Sequence, residues 1–441
     1  MITKYTMQRA CFFLWVLLLV ATATVATTVA TETKDLQANV RSLTRQLAAD
    51  RLADRDRAEQ ELLALGPAVL DVLPDGQARL PAEANRRLTR IRRQLEERKA
   101  RESVESRRLS LQASAQPLST LIAQLESLSG NRIVDYRALR RQPQTEIPIS
   151  VDVKNVTFWE ALDRVLGEAH MKIYPYAVDT GRRPLQGIAF IARDPTRRSS
   201  AGPIDYEGGF RFEATRIRAE RDYRNVDADG LAVHIETLWE PRLNPIHLVL
   251  LRNTVTAVDK KGRSFIRKGN GESEIAIDRT APVFILPFQL SGDESQWIQT
   301  LSGELQCLLP SERETFHFEN LSEGRVQRVQ KARAVVTLQS VRAGKEEWVI
   351  EISVRLEDAE KALESHRTGW MQRNAVYLED ATGARIAPLQ IEQTAEGKNI
   401  FGFAFHFKPP KKIGDYVLTY TVPTTFITRR IPFRLEGLKL P

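Results

Sequence analysis

Cysteine is scarce in this 441-residue chain, which contains only Cys11 and Cys307. Cys11 opens an N-terminal apolar run, so removal of that segment leaves a single thiol and no intramolecular disulfide can form. Cys307 is surrounded by leucines, which predicts a buried packing residue. Stability must therefore come from apolar cores, and the hydrophobic fraction of 42% is ordinary for a folded protein.

Motifs of common catalytic and metal sites are also missing. The sequence has no Gly-x-Ser-x-Gly, no phosphate-binding Gly-x-x-x-x-Gly-Lys-Ser/Thr and no Gly-x-Gly-x-x-Gly. The six histidines are dispersed, without His-x-x-x-His or Cys/His pairing. They are His170, His234, His247, His317, His366 and His406. The prediction is a protein that is not an enzyme.

An apolar run near the N-terminus is the most distinctive local feature that is present. Two basic residues precede ten strongly apolar residues, 11–20, and small residues follow. This order is typical of a secretory signal peptide, with cleavage expected after Ala26 or Ala30. Residues 1–30 could instead stay as a membrane anchor, because about 20 residues just cross a bilayer. In both cases the remaining chain is predicted to lie in the periplasm or extracytoplasmic cell envelope, soluble or tethered.

The positive charge of the chain is concentrated in one segment. The net charge is +8, and ten basic residues against four glutamates fall within 86–108. Those on the predicted basic helix are Arg86, Arg87, Arg90, Arg92, Arg93, Arg98, Lys99 and Arg101. This helix could contact anionic lipid headgroups or envelope polymers, or form a solvated face with internal ion pairs. No nucleic-acid partner is expected, because export separates the protein from nucleic acid.

Residues 34–108 are predicted to be helical. Apolar residues recur at helical spacing, Gly66-Pro67 ends one helix, and another follows Pro81. The stretch 57–95 resembles a single HEAT-type helical repeat. One such unit cannot bury its own apolar face, and a short coiled coil or helical stalk fits the pattern equally well.

From Leu109 the apolar period changes to two, and strands and helices are predicted in the order β-α-β-β-α-β-β. Pro117 opens the first helix, Ser129-Gly130 closes it, and Thr157 caps the second helix. The expected fold is a small βαββαβ domain. Its most specific block is Val151-Asp-Val-Lys-Asn-Val-Thr-Phe-Trp-Glu-Ala-Leu-Asp-Arg-Val-Leu166, a strand followed by a capped helix with an Ala-Leu pair.

With the turn and strand that begin at Gly130-Asn-Arg-Ile-Val-Asp, this block resembles the short N-terminal domain of bacterial secretins and TonB-dependent transducers. The resemblance covers residues 109–193. It implies a small periplasmic module that contacts partner proteins and carries no catalytic residues. Neither a secretin barrel nor a TonB-dependent barrel follows this region in the chain, so the resemblance implies no pore or transporter.

The C-terminal half alternates with period two and repeats itself. The segment Asn253-Thr-Val-Thr-Ala-Val-Asp-Lys-Lys-Gly262 matches Asn374-Ala-Val-Tyr-Leu-Glu-Asp-Ala-Thr-Gly383 without a gap. The same offset places Phe284 on Phe405, both in apolar strands. We interpret the repeat as a duplication, in which Asp259 and its counterpart lie in hairpin turns whose glycines adopt positive φ.

This repeat predicts two tandem antiparallel β-sandwiches of immunoglobulin-like type, at 205–324 and 325–441. A polar linker at 194–204 precedes them. The predicted fold class is therefore multidomain α+β, with an N-terminal helical segment, a small βαββαβ domain and two sandwiches.

One segment fits the spacing of an EF-hand calcium loop. Asn225, Asp227 and Asp229 would be oxygen ligands at loop positions 1, 3 and 5, and Glu236 the carboxylate at position 12. However, 231–235 alternates as a strand where an EF-hand begins a helix. A solvated hairpin turn and a calcium loop of another kind are both compatible with the pattern.

The leading functional expectation is an exported bacterial cell-envelope protein with a non-catalytic role in binding or scaffolding other envelope proteins. The first alternative is a carbohydrate- or calcium-binding surface module, with calcium as its only cofactor. The second is an enzyme whose site is assembled between domains.

Overall fold

A computed structural model gives the fold of the chain. It describes residues 35–74, 80–178, 185, 187–196, 201–221, 223–225, 229–277, 281–289, 296–344, 347–357, 370–371, 374–397 and 399–441. The chain divides into two compact units, 1–102 and 103–441. The predicted α+β class is confirmed, because helices come first, a small mixed sheet with helices follows, and antiparallel sheets fill the C-terminal part. No helix of the described ranges is long and apolar enough to cross a membrane.

The first unit is helical, as its periodicity predicts. Its helices are α1 (35–46), α2 (Leu52–Ala64) and α3 (Ala82–Val104), with a short 3₁₀ turn at Pro67–Val69. The apolar stripes of the three helices share one core. This core includes Val40, Leu43, Leu47, Leu62, Leu88, Ile91 and Leu95.

The region that we call the small module, residues 109–193, has the predicted order of elements. They are β1 (Leu109–Pro117), α4 (Leu118–Ser129), β2 (Ile133–Asp135), β3 (Pro148–Val156), α5 (Phe158–Glu168), β4 (Met171–Ile173) and β5 (Ile188–Ala192). Thr157 caps α5 by accepting the backbone N–H of Glu160, and Gly130 ends α4 with φ 72°. β1 pairs with β3, while β5 lies between β2, which is parallel to it, and β4, which is antiparallel.

The remaining strands form four antiparallel sheets. The earlier strands are β6 (Ile204–Glu207), β7 (Phe210–Glu220), β8 (Gly230–Trp239), β9 (His247–Val258), β10 (Glu272–Ile275), β11 (Val283–Gln289) and β12 (Trp297–Pro310). The later ones are β13 (Arg313–Phe318), β14 (Gln327–Lys331), β15 (Ala334–Ala343), β16 (Trp348–Leu356), β17 (Val376–Asp380), β18 (Arg385–Ile386), β19 (Gln390–Gly397), β20 (Ile400–Phe407), β21 (Tyr416–Pro423) and β22 (Phe426–Lys439).

These sheets associate as two pairs, each enclosing one apolar core. The first sheet pair has the strand orders β6-β7-β8-β11 and β22-β12-β9-β10. The second sheet pair has the orders β14-β15-β16-β20-β19 and β13-β21-β17-β18. Taken strand by strand, the two pairs have the same arrangement apart from two differences at their edges.

The turns at the repeated sequence have the same structure. The carboxylate Oδ1 of Asp259 accepts the backbone N–H groups of Lys261 and Arg263, at 2.8 and 2.9 Å. Asp380 does the same with the N–H groups of Thr382 and Ala384, at 2.9 and 3.1 Å. The glycines of the two turns have φ 76° and 82°, as the sequence pattern requires.

The first difference concerns the last strand. β13 lies beside β21 in the second pair, and β22 fills the corresponding place beside β12 in the first pair. The sequence boundaries put 426–439 in the second sandwich and 313–318 in the first, but strand pairing places β22 in the first pair and β13 in the second. Alternation could not show this, because it identifies the apolar face of a strand and not its neighbour.

The second difference is at the opposite edge of the other sheet. In the second pair β19 covers the outer edge of β20. In the first pair the strand that follows the equivalent turn, β10, joins β9 in the facing sheet. β11 is therefore an edge strand of its sheet.

Candidate interaction surface

The helical side of the small module is packed against the first sheet pair. Trp159 of α5 is fully buried, and its indole Nε1 donates to the backbone oxygen of Gly209 at 2.9 Å. Leu238 of β8 and Ala281 belong to the apolar core of the module. The predicted linker therefore does not separate two independent bodies, because the module shares its core with the sheet behind it.

A buried ionic cluster fixes the same interface. The guanidinium of Arg211, on β7, donates to the carboxylates of Asp163 (2.6 Å) and Glu213 (2.8 Å). The phenol of Tyr206 donates to the same oxygen of Asp163 at 2.7 Å. Asp163 lies on α5, one turn after Trp159, so both side chains point from one helix face toward the sheet.

The charges in this cluster determine its protonation states. Burial alone would lower the pKa of the Arg211 guanidinium, but the carboxylates of Asp163 and Glu213 outweigh burial and raise that pKa. Burial and the Asp163 charge raise the pKa of Tyr206, so the phenol keeps its proton and remains a donor. Burial, followed by the charge of Glu213, raises the pKa of Glu236 on the neighbouring strand.

A second buried carboxylate, Glu240, connects three segments beside this cluster. Only 2% of Glu240 is exposed. Its oxygens accept from the amide of Asn131 (2.8 Å), the hydroxyl of Ser106 (3.3 Å) and the guanidinium of Arg242 (2.7 Å). Removing a buried hydrogen-bonded carboxylate leaves its donors unpaired, so this site serves to hold the module in place.

The opposite face of the module, on the sheet β2-β5-β4, carries a cluster of tyrosines. The rings of Tyr136 and Tyr174 stack with a centroid distance of 5.5 Å, and the ring of Tyr176 meets that of Tyr174 edge-on at 5.8 Å. Ala189, on the central strand between them, belongs to the same apolar cluster, and its small side chain leaves room for the rings. Three aromatic rings are thus held in contact at one end of a small sheet.

Exposed groups surround these rings. Tyr176 is 68% exposed and Leu139 is 67% exposed, while Val178 is partly exposed. The guanidinium of Arg140 lies 5.4 Å from the centroid of the Tyr174 ring, a cation–π arrangement. We call this surface the tyrosine face and define it as Tyr136, Leu139, Arg140, Tyr174, Tyr176 and Val178.

Buried contacts make the tyrosine face rigid. The phenol of Tyr136 donates to the backbone oxygen of Val178 at 3.1 Å. Arg137 is buried and binds both carboxylate oxygens of Asp135, a contact that raises the pKa of Arg137. The Gln142 amide binds the backbone N–H and oxygen of Ala192 at the end of β5. Rigid aromatic side chains lose little conformational entropy on binding, which favours a binding role.

The surroundings of the tyrosine face are basic. Arg132, Arg140, Arg141 and Lys172 are exposed, and the ion pairs of the described residues assign a carboxylate to none of them. Asp135 is already paired with Arg137. Within the described residues, this surface therefore presents aromatic and aliphatic groups beside positive charge that no carboxylate pairs with.

The structure separates two of the residues that the sequence predicts to bind calcium, Asp229 and Glu236. Glu236 lies within β8, opposite Glu213 and Val283 on the adjacent strands. Glu236 lies seven positions after Asp229 along an extended strand, a span of roughly 23 Å. Asn225 is exposed, and Asp227 lies outside the described residues. No group of three His, Cys, Asp or Glu residues in the described part of the chain could hold a metal ion.

The basic helix is largely engaged in contacts within its own unit. The guanidinium of Arg87 is buried and reaches the carboxylates of Asp56 (2.7 Å) and Glu59 (2.8 Å) on α2. Arg90 forms two hydrogen bonds with Glu59, and Arg92 donates to the backbone oxygen of Leu73. Arg86, Arg93, Arg98 and Arg101 each pair with a glutamate one turn away on α3.

These pairs agree with the interpretation of α3 as a helix face with internal ion pairs. Arg86, Arg93, Arg98 and Arg101 remain largely exposed, so α3 still presents positive charge to solvent. Lys99 also has an interaction partner. A contact of the helix with anionic headgroups or polymers stays a prediction.

Of the remaining sequence-derived residues, Cys307 is fully buried, and burial raises the pKa of its thiol, so it is a packing residue. Ala26 and Ala30 lie outside the described residues. The tyrosine face was not identified from the sequence. Tyr174-Pro-Tyr176 and the arginines at 137–141 were its only local signal, and their proximity depends on the pairing of β2 and β4 with β5.

Comparison of the chain with protein-family models, curated proteins and solved structures found no match. The resemblance of residues 109–193 to the secretin N-terminal domain therefore stays a prediction. The function has to be argued from the chemistry of the surfaces described above.

Proposed function

We propose that this protein is an exported, non-catalytic binding protein of the bacterial cell envelope, whose tyrosine face holds an acidic segment of a partner protein. The carrying observation is the Tyr136–Tyr174–Tyr176 cluster beside exposed arginines that form no ion pair with the described carboxylates. Tyrosine and arginine, together with tryptophan, are enriched at the energetic centres of protein interfaces. The N-terminal apolar run supports export.

The surface chemistry favours a protein partner over a glycan. Sugar hydroxyls are usually bound by amide and carboxylate side chains that are free to form oriented hydrogen bonds. Near the tyrosine face, Gln142 is bound at both ends to β5, and Asp135 is occupied by Arg137. The exposed groups instead suit a segment that combines acidic side chains with an apolar anchor.

The rest of the second unit acts as a rigid support in this proposal. We interpret the two sheet pairs as duplicated immunoglobulin-like sandwiches and the small module as secretin-N-like. The module is fixed through Trp159, Asp163 and Glu240, so its helical side is already occupied. A partner would therefore meet the sheet side of the module, which serves as a scaffold surface.

Site-specific photo-crosslinking in the producing cells tests the proposal. A benzophenone amino acid at position 176 should form a covalent adduct with a protein, and the same probe at Leu389, which is 66% exposed on the second pair, should not. Combining the probe at 176 with Arg140→Glu and Arg141→Glu should reduce adduct yield at least about fivefold, because acidic side chains would be repelled. Arg216→Glu, an exposed arginine on β7, is the matched charge control.

An adduct that contains only carbohydrate would refute the protein partner and favour the surface-module alternative. Equal adduct yields at positions 176 and 389 would refute the binding role of the tyrosine face. Export is tested separately by cell fractionation, where recovery of the protein in the cytoplasm would contradict the compartment.

A further inference from the structure

The outer face of the first sheet pair carries two arginines that the sheet brings beside a histidine. β7 has a bulge between Ala214 and Arg216, after which Arg216 and Arg218 point outward while Ile217 packs against the core. Arg216 lies directly opposite His234 of β8, and Arg218 is the next outward residue of β7, about 7 Å further along. We call these three residues, Arg216, Arg218 and His234, the arginine site.

The two arginines have no carboxylate partner among the described residues. Arg216 and Arg218 are exposed, and the ion pairs of the described part of the chain include neither of them. Glu236 is the next outward residue of β8, but burial and the charge of Glu213 raise the pKa of Glu236 and disfavour its ionised form. Glu220, at the end of β7, is exposed and forms no ion pair with the described arginines.

The charges of both arginines reach the imidazole of His234. Burial lowers the pKa of His234, and the charges of Arg216 and Arg218 lower it further. The imidazole is therefore neutral at neutral pH. Within the described residues its ring forms no hydrogen bond, so the site combines positive charge with unused N–H donors.

The second pair contains an equivalent position, which strand pairing identifies. β15 has the same bulge as β7, between Leu338 and Ser340. Alignment of the two bulges gives three matched pairs of residues: Arg216 with Ser340, Arg218 with Arg342, and His234 with Glu351.

A backbone hydrogen bond on the neighbouring strand gives the same alignment. The oxygens of Pro287 and His406 accept the N–H of the residue six positions after the glycine of each repeated turn. Both acceptors lie opposite the position two residues before the matched His234 and Glu351. In β11 this alignment differs by two residues from the ungapped match of the repeated sequence.

In the second pair this position is neutralised within the chain. The carboxylate of Glu351 accepts from the hydroxyl of Ser340 at 2.9 Å and from the guanidinium of Arg342. In the first pair a histidine replaces that carboxylate and an arginine replaces the serine. The arginine site thus has one more positive charge than its counterpart and no negative charge to balance it.

We infer that the arginine site binds a phosphate group, either as inorganic phosphate or as the phosphomonoester of a lipid headgroup. One carboxylate is sufficient for the single arginine of the second pair, whereas two arginines call for about two negative charges. A phosphate monoester carries a charge of about −1.5 to −2 and three strong acceptor oxygens. Arginine forms paired, charge-assisted hydrogen bonds with such oxygens, and His234 adds a further N–H donor.

Histidine NMR titration of the purified chain tests the site directly. Inorganic phosphate should raise the pKa of His234 by at least about one unit, because a nearby anion favours the charged imidazole. The His234→Gln variant identifies the resonance. Sodium acetate at the same ionic strength controls for screening of the arginine charges and should raise that pKa by less than about half as much.

Equilibrium dialysis of radiolabelled inorganic phosphate measures the affinity. Arg216→Gln and Arg218→Gln should each raise the dissociation constant at least about tenfold, since each removes charged hydrogen bonds to the phosphate. Arg342→Gln is the matched control, because Arg342 is already paired with Glu351, and it should leave the constant unchanged.

Exchange of residues between the matched positions provides a reciprocal test. His234→Glu should abolish phosphate binding by supplying the carboxylate that the second pair has at Glu351. Its fold should be unchanged, because Glu351 shows that this position of the sheet accepts a glutamate. The double variant Ser340→Arg with Glu351→His should bind a second phosphate.

Vesicle sedimentation distinguishes the two sources of the phosphate group. Binding to phosphatidylcholine vesicles that contain phosphatidic acid, lost in Arg216→Gln and Arg218→Gln, would assign a lipid headgroup. Binding of inorganic phosphate without such vesicle binding would assign the free ion.

Three outcomes would overturn the inference: binding of neither inorganic phosphate nor phosphatidic acid, binding that both arginine variants leave unchanged, or an effect of acetate equal to that of phosphate. The inference does not depend on the tyrosine face. Arg216→Glu should abolish phosphate binding and preserve the crosslink at position 176, whereas Arg140→Glu with Arg141→Glu should do the reverse.

Discussion

The first and second sheet pairs are built from the same repeat but complete their edges differently. The second pair uses β13 at one edge and β19 at another, both from the stretch 313–423 that also supplies its other strands. The first pair receives β22 from the C-terminal part of the chain, and no described strand pairs with the outer edge of β11 at 283–286. The comparison indicates that the interior strands and the turns are the same in both pairs. The edge strands differ in the part of the chain that supplies them and in the sheet that they join.

The physical reason is that edge strands have only one neighbour. A central strand such as β8 is fixed by hydrogen bonds on both sides and by the core beneath it. An edge strand can be replaced by any segment with the right alternation, because it forms hydrogen bonds with the sheet on one side only. The strand next to β12 therefore came to be supplied by residues distant in the sequence.

Phe433→Ala should give the largest effect and tests the dependence of the first pair on β22. The Phe433 ring contacts those of Phe212 and Phe284, at centroid distances of 5.4 and 5.7 Å. Truncating a buried phenylalanine costs about 3–5 kcal/mol. Hydrogen exchange should accelerate in β9 and β12 and remain slow in β15 and β16.

Phe316→Ala is the matched variant. Phe316 lies opposite Tyr420 of β21, and Phe433 lies opposite Gly303, which holds the corresponding position of β12. The Phe316→Ala variant should accelerate exchange in the second pair. If either variant accelerated exchange equally in both pairs, the two cores would not be separate in the way that the sheets indicate.

Asp163→Ala should have the second-largest effect on stability. It tests the contact between the small module and the outer face of the first pair. Breaking a buried ion pair costs about 3 kcal/mol, because Arg211 and Tyr206 lose a partner. Chemical denaturation measures the change. Asp152→Ala, in an exposed pair with Lys154, is the control and should change stability by less than about 0.5 kcal/mol.

The two repeated turns should respond alike to acid. Burial tends to raise the pKa of Asp259, but hydrogen bonds from Arg263 and Lys261 outweigh it and lower the pKa from 3.8 to about 2. A lowered pKa in the folded state gives stability above pH 4 that is lost as the pH falls toward 2. The Asp259→Asn variant should therefore be less stable than wild type at neutral pH, and the difference should shrink in acid.

In the second turn, Lys411 first and then Thr382 lower the pKa of Asp380. Asp380→Asn should show the same dependence on pH in thermal unfolding. A pH-independent effect in one turn and a pH-dependent effect in the other would contradict their equivalence.

Glu236→Gln should give the smallest effect and has the opposite sign. Burial and the charge of Glu213 raise the pKa of Glu236 above its ordinary 4.5, so its ionisation opposes folding as the pH rises past that value. The glutamine variant should be more stable than wild type at neutral pH and equal to it in acid. Glu213→Gln should instead destabilise, because Glu213 binds Arg211; thermal unfolding across pH distinguishes the two.

Local features were predictable from the sequence. Thr157 and Gly130 mark helix ends through bonds and dihedral angles within one turn of chain, and both have the expected geometry. The turns at Asp259 and Asp380 were predicted for the same reason. The order of elements in the small module also followed from apolar periodicity.

The candidate surface was not predictable. Tyr136 and Tyr174 are separated by 38 positions in the sequence and stack only because β2 and β4 flank β5. The basic helix was recognised from composition, yet the pairing of Arg87 with Asp56 and Glu59 requires the packing of α3 on α2. Charge along a sequence does not reveal which charges are neutralised in space.

By itself, the sequence determined the helices, the strands, the capped ends and the two repeated turns, because each depends on side-chain periodicity or on hydrogen bonds within a few residues. The tertiary structure decided which sheet each strand joins. β10 and β19 follow equivalent turns and enter different sheets, and β22 completes a pair that begins more than 200 residues earlier. The reason is physical: alternation fixes which face of a strand is apolar, whereas its neighbour is selected by packing and backbone hydrogen bonds across the whole fold.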